Sequence, residues 1–210
     1  MFGVAISSSS PAVAARCAFV RAGVGAACSQ NLTDPGLGPM LLDAMGAGLS
    51  APDAIDRITE GRPHIAHRQL LAVDAQGRAA GFSGVGALGI FGHATAQDAA
   101  AGGNLLADAG VPQAMLAAFA RTKGHLGERL LQALEAGLAA GGEAGPVMSA
   151  GLKVADRLDW PVVDLRADWD EAPVARLRVA WEVYRPQIAA YLQRAADPTQ
   201  APSFGVPGDV

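Results

Sequence analysis

Apolar positions along this chain recur with two different periods, and the switches between them mark out its elements. Phe2-Gly3-Val4-Ala5-Ile6-Ser7-Ser8 is a short apolar run that predicts a strand starting at the second residue. After a turn-rich stretch, residues 17–20 and 23–29 read as two paired strands about a turn at Arg21-Ala22-Gly23-Val24. The polar loop Gln30-Asn31-Leu32-Thr33-Asp34-Pro35-Gly36 opens onto a helix over 39–45 that ends near Gly46 or Gly48. Ser50 is placed as the N-cap of a helix over 51–58, with Pro52 in its first turn and Gly61 and Pro63 beyond its end. Strands resume over 69–74 and 78–83, joined by Ala75-Gln76-Gly77 as a hairpin turn. Residues 99–106 are rich in Gly and fit either a strand or a loop.

Helical spacing dominates the second half. Helices are expected over 111–122 and 125–140, the second with Leu126, Leu130, Leu131, Leu134 and Leu138 on one stripe. Residues 148–154 and 162–166 read as strands. Val174, Leu177, Trp181, Tyr184, Ile188 and Tyr191 then recur at steps of three and four, a final helix with Pro173 near its start. This order lacks strict βαβ alternation, which disfavours a doubly wound parallel sheet. It predicts an α+β fold of two stacked, mainly antiparallel sheets between helical layers, with Leu130, Leu134, Leu138, Trp181 and Tyr184 buried. One domain is expected over 1–196, followed by an extended tail over 197–210.

Composition narrows the picture. Half of the 210 residues are hydrophobic but only 5% are aromatic, so the core is built from small and aliphatic side chains. A net charge of −4 without a basic cluster argues against a nucleic-acid surface. No apolar run approaches the ~20 residues that span a bilayer, and residues 1–6 lack the basic start of a signal peptide. A cytoplasmic location is expected. Cys17 and Cys28 lie equidistant from the turn at 21–24, so a simple hairpin would set them opposite each other as buried, reduced thiols.

Candidate chemistry is sparse. Gly84-Val85-Gly86-Ala87-Leu88-Gly89 is a literal GxGxxG, but residues 90–95 are β-like where a dinucleotide site needs a helix N-terminus. No cofactor is expected. His64, His67, His93 and His125 have no HExxH or carboxylate cluster beside them, so no metal site is expected either. The serines at 7–10 sit at a strand end without a GxSxG elbow.

Several segments together resemble a known family. Gly3-Val4-Ala5-Ile6-Ser7-Ser8, Arg21-Ala22-Gly23-Val24-Gly25-Ala26 and Ser29-Gln30 are similar to the opening of the bacterial domain-of-unknown-function family 1028. So are His67-Arg68-Gln69 through Val73-Asp74, Gly77-Arg78 and Gly102-Gly103-Asn104-Leu105-Leu106. Residues 126–142 resemble its LxERLLxALExGxxAGG segment, and Val163-Asp164-Leu165-Arg166-Ala167-Asp168 with Pro173-Val174-Ala175-Arg176-Leu177-Arg178 its C-terminal pattern. That family looks like the N-terminal-nucleophile (Ntn) hydrolases. The resemblance implies a four-layer αββα sandwich in which a first-residue Thr, Ser or Cys attacks an amide, with its own α-amine as base.

Two departures shape the expectation. Family members begin Met-Thr-Phe-Ser and a strand before the segment matching Gly3, so the nucleophile-bearing strand is expected to be missing here and Met1 to be an internal methionine. After Gly141-Gly142 the family's basic, Gln-containing approach is replaced by Glu143-Ala144-Gly145-Pro146-Val147-Met148. A pocket is expected where the Ser7–Ser8 strand end, the Gln30-Asn31 loop and Gly103-Asn104 converge. Asn31 and Asn104 would donate amides to a substrate carbonyl there, or else satisfy turn backbone. Two functions stay open: an amidohydrolase acting on a small amide or peptide, inactive in this 210-residue form, and a non-catalytic Ntn-like binding or assembly protein. A homodimer is expected in either case, covering the Ala-rich helices and the tail residues Phe204 and Val206.

Overall fold

Strand β1, Phe2–Ser8, is covered on both faces, which is why its sequence is a continuous apolar run rather than an alternation. A Cβ on Gly3 would stand 2.6 Å from Leu130, whereas Val4 and Ile6 point the other way, into a cluster with Cys17, Cys28 and Leu71. The computed structural model describes residues 1–203 and 205. In it β1 pairs antiparallel with β8, Ser149–Ala155, and β8 with β9, Val163–Ala167.

A second antiparallel sheet runs in the order β2 (Ala18–Arg21), β3 (Gly25–Asn31), β4 (Arg68–Asp74) and β5 (Ala79–Ser83). Helices α2 (Leu37–Gly46) and α3 (Ala51–Thr59) bury Leu41, Leu42, Ile55 and Ile58 against Ala27, Leu70 and Ala72 of this sheet. Ser50 caps α3 by accepting the Asp53 N–H at 3.2 Å. The third sheet is a hairpin of β6 (Ile90–Ala96) and β7 (Ala99–Leu106), so the Gly-rich run at 99–106 is a strand. Between β5 and β6 the GxGxxG segment is a turn that leads into a strand, with no helix for a phosphate to face.

Helices α4 (Val111–Arg121), α5 (Leu126–Ala139) and α6 (Pro173–Tyr184) occupy the other side of β1, β7, β8 and β9. Leu131, Leu134, Leu177 and Trp181 close over Leu152, Val154 and Val163. Trp181 is fully buried, and its indole N–H donates to Glu128 at 2.6 Å. Glu128 and Glu135 also receive the Arg178 guanidinium, which ties α5 to α6.

Four expectations need correction. The described strands form three sheets rather than two, because β1 and β7 are not hydrogen-bonded to each other. Residues Val13–Cys17 form a short helix, α1, so Cys28 pairs across the hairpin with Ala18 and Cys17 falls outside the register. The Ser149 hydroxyl anchors that helix by accepting the Val13 N–H at 3.2 Å and donating to the Ser10 carbonyl at 2.6 Å. The C-terminal helix breaks at Pro186, where one turn of 3₁₀ helix separates α6 from α7 (Ile188–Ala196). Leu138 is 45% exposed despite lying on the α5 stripe, because it stands in the last turn of α5 beyond the core cluster that takes Leu131 and Leu134, and Leu130 and Tyr184 are only partly buried. Phe204 and Val206 lie outside the described residues. Among those described, no helix is long and apolar enough to cross a membrane.

Candidate functional site

The gap between β1 and β7 is a cavity of about 550 Å³. Its walls are β1 and β7 at the sides, β3 and β4 on one face and α4 and α5 on the other. Most of the lining is apolar: Ala26 and Leu71 from the second sheet, Met115, Phe119, Leu130 and Leu134 from the helices. This volume is in the range of sites for small organic ligands, and the apolar walls leave orientation to a few polar groups.

Those polar groups gather on β3, β4 and β7. Gln69 sits at a fully buried position of β4, directly before the apolar run Leu70–Val73. Its two amide N–H groups are shared among three acceptors, Ser83 Oγ at 2.9 Å, the Gly103 carbonyl at 3.0 Å and the Gly92 carbonyl at 3.1 Å. Its Oε1 accepts from Gln30 Nε2 at 2.7 Å and from Asn104 Nδ2 at 3.4 Å. Gln30 also reaches the Gly102 carbonyl at 3.3 Å and accepts from the Cys28 thiol at 3.3 Å. Three side-chain amides are thus locked into one chain, because each donor needs an acceptor where water is excluded.

Charged groups mark the rim. Glu143, in the loop after α5, accepts the Ser9 N–H on both carboxylate oxygens, at 3.2 and 3.3 Å, and its backbone bridges to Leu106 at the end of β7. Arg129 stacks its guanidinium 3.9 Å from the centre of the Phe119 ring and donates to the Phe119 carbonyl at 3.3 Å. Its buried Nε has no hydrogen-bond partner among the described residues. Asp74 also borders the cavity, but its carboxylate is fully engaged. It accepts the N–H groups of Ala51, Gln76 and Arg78 and the Arg78 guanidinium. Burial raises the Asp74 pKa, but these bonds outweigh it and hold the carboxyl below the usual carboxylate range.

Nucleophile chemistry finds little support in the described lining. Burial pushes the Cys28 thiol well up, and the neighbouring Cys17 adds to this, so no thiolate forms near neutral pH. Ser7 borders the cavity without a hydrogen-bonded base, and no histidine lines it. What the arrangement offers is recognition: amide donors and acceptors, the Asp98 and Glu143 carboxylates and the Arg129 guanidinium around a largely apolar chamber.

Of the residues singled out from the sequence, Ser7, Gln30, Gly103 and Asn104 line this one cavity. Ser8 and Asn31 do not. Ser8 Oγ accepts the Ser10 N–H at 3.1 Å in the turn after β1. Asn31, at φ 69°, donates to the His67 carbonyl at 2.6 Å and accepts the Leu88 N–H at 3.2 Å, so its amide serves neighbouring backbone. Sequence reasoning missed Gln69, Glu143 and Arg129. A Gln directly before the apolar run Leu70–Val73 is the readable signal for the first; the other two become visible only once α5 is placed beside β1.

Comparison with known proteins agrees with the fold. The profile described as "Family of unknown function (DUF1028)" matches residues 1–177. The crystal structure of protein SPO2555 from Silicibacter pomeroyi, attributed to the same family, superposes with a TM-score of 0.84 at 29% identity. The match covers 91% of this chain and 84% of that one. Among curated proteins none matches. The chain therefore belongs to the family of unknown function DUF1028.

Proposed function

We propose that this chain is an Ntn-hydrolase-like protein whose cavity holds a small amide or peptide, and that it binds without hydrolysing. The reading takes the layering of α2 and α3, the β2–β5 sheet, the β1 and β7 strands and α4 to α6 as a four-layer αββα sandwich. The observation that carries it is the pair of amides Gln30 and Asn104, which line the cavity and are both hydrogen-bonded to the buried Gln69 amide behind them. Carboxamides are matched donor–acceptor pairs, and a ligand amide can exchange for the long Asn104–Gln69 contact of 3.4 Å at little cost.

Absence of an activated nucleophile among the described lining residues favours binding over turnover. Cys28 is held as the thiol, and Ser7 has no base to take its proton. The test is incubation of the 210-residue protein with a library of small amides and short peptides. Affinity selection should retain members of the library, with every amide recovered intact and the protein mass unchanged. Hydrolysis products or an acylated N-terminus would show that the chain is an active amidohydrolase, and retention of no library member would remove the ligand reading.

A further inference from the structure

Ser83 ends β5 and His93 stands in the middle of β6, with the Ser83 hydroxyl 2.9 Å from His93 Nδ1. Neither residue lines the cavity described above. Gly81 makes the approach possible. Ala80 and Phe82 pack into the cluster under α2 and α3, so Gly81 and Ser83 present the opposite face of β5. A Cβ on Gly81 would stand 2.4 Å from the His93 ring, so the imidazole lies on the glycine, beside the hydroxyl.

The direction of the bond follows from Gln69. Its amide N–H is a donor only, and at 2.9 Å it occupies a lone pair of Ser83 Oγ. Among the described residues the hydroxyl proton has one acceptor, His93 Nδ1, which leaves the ring proton on Nε2. A serine hydroxyl donating to a neutral imidazole is the arrangement in which a general base activates a nucleophile. A donor for developing negative charge lies on the same residue. Gly84 N–H bonds the Arg68 carbonyl and Asp74 N–H the Arg78 carbonyl, so the bonded positions of β5 are the even-numbered ones. The Ser83 N–H therefore points away from β4, at the outer edge of the last strand in its sheet.

We propose that Ser83 and His93 form an acyl-transfer dyad acting on small, uncharged, apolar carboxylic esters, a site separate from the cavity and independent of the amide-ligand reading. Substrate class follows from the surroundings. Val85, two residues after Ser83, and Phe91, two before His93, are both exposed, and no Asp, Glu, Lys or Arg occurs from residue 79 to 97. Ser83 Oγ bonds to the ester carbonyl carbon while its proton passes to His93 Nδ1, and the oxyanion meets the Ser83 N–H. The carbon–oxygen bond to the leaving group breaks, and the alcohol departs with that proton, leaving acyl-Ser83. Water then gives a proton to Nδ1 and attacks the acyl carbon, and Ser83 Oγ recovers the proton as the carboxylic acid leaves. Among the described residues no carboxylate bonds to the His93 ring to stabilise its charged form, so esters with good leaving groups react and amides do not.

The full chain is incubated with p-nitrophenyl butyrate and, separately, with diethyl p-nitrophenyl phosphate, which traps activated serines. Release of p-nitrophenolate from the ester should be saturable, and Ser83→Ala and His93→Gln should each lower it about a hundredfold or more. Peptide mapping by mass spectrometry should place the diethylphosphoryl group on Ser83 of the parent chain, a result that stands whether or not the variants fold. His93→Gln with unchanged circular dichroism should slow that labelling by a similar factor. The proposal is overturned by an unlabelled Ser83 at millimolar probe or by ester turnover that survives Ser83→Ala. It is overturned equally by labelling that is as fast in folded His93→Gln as in the parent. Any of these leaves amide binding in the cavity untouched, and failure of amide binding leaves Ser83 labelling as expected here.

Discussion

Replacing Gln69 by Leu tests whether the amide chain holds the third sheet against the second. The substitution keeps a similar bulk at a fully buried position and removes the hydrogen bonds of the Gln69 amide. Two N–H groups shared among three acceptors and the bond accepted from Gln30 make three full bonds, and the contact from Asn104 is long enough at 3.4 Å to be neglected. At a net ~1 kcal/mol per buried hydrogen bond, less the hydrophobic gain of the leucine, the loss is about 2 kcal/mol. For a chain of 210 residues that lowers Tm by about 4–8 °C. Urea unfolding followed by circular dichroism measures the energy, and amide exchange locates it. The β6–β7 hairpin should lose protection more than β3 or β4, because Gln69 reaches the Gly92 and Gly103 carbonyls directly. A loss below about 0.5 kcal/mol, the size of an ordinary surface change, would refute this assignment.

Three further outcomes are expected. Burial raises the Glu128 pKa, but bonds from Arg178, Trp181 and Gln132 outweigh it and set the carboxyl below its usual value. A depressed folded pKa gives stability that is present above the unfolded value near ~4.3 and is lost as pH falls through the folded one. Acid titration of stability should therefore fall less steeply in Glu128→Gln than in the parent, and identical slopes would contradict the assignment. Asp74→Ala should cost about 2–3 kcal/mol in denaturant melts, since it strips the α3 N-terminus and the β4–β5 turn of their shared acceptor. Cys17 and Cys28 should resist iodoacetamide at pH 8 in the native state, both thiols being buried and raised; modification of either within minutes, read by mass spectrometry, would contradict this.

Strand and helix patterns were legible wherever one side chain period held. The α3 cap at Ser50, the β4–β5 hairpin and the Trp181 face of α6 follow from local residues alone. What local patterns leave undetermined is lateral arrangement. Leu138 fits the α5 stripe as well as Leu134 does, and both border the cavity, yet Leu134 packs into the core cluster under α6 and Leu138, in the last turn of α5, lies beyond it. Cys17 looked like a strand residue because its neighbours are apolar; the Ser149 hydroxyl, distant in sequence, pulls that turn into a helix. Ser7, Gln30 and Gly103-Asn104, singled out in the sequence, line one cavity. Asn31 carries the same side chain as Asn104, but its left-handed backbone turns the amide onto the His67 and Leu88 backbone.

Side-chain amide resonances test the central claim most directly. Gln30, Gln69 and Asn104 are titrated with small primary amides and dipeptides in ¹⁵N-edited spectra, while the ligands are assayed for cleavage. The account predicts saturable shifts of Gln30 and Asn104, a smaller shift of the enclosed Gln69, and ligands that remain whole. Unmoved Gln30 and Asn104 resonances at millimolar ligand, or release of cleavage products, would contradict it.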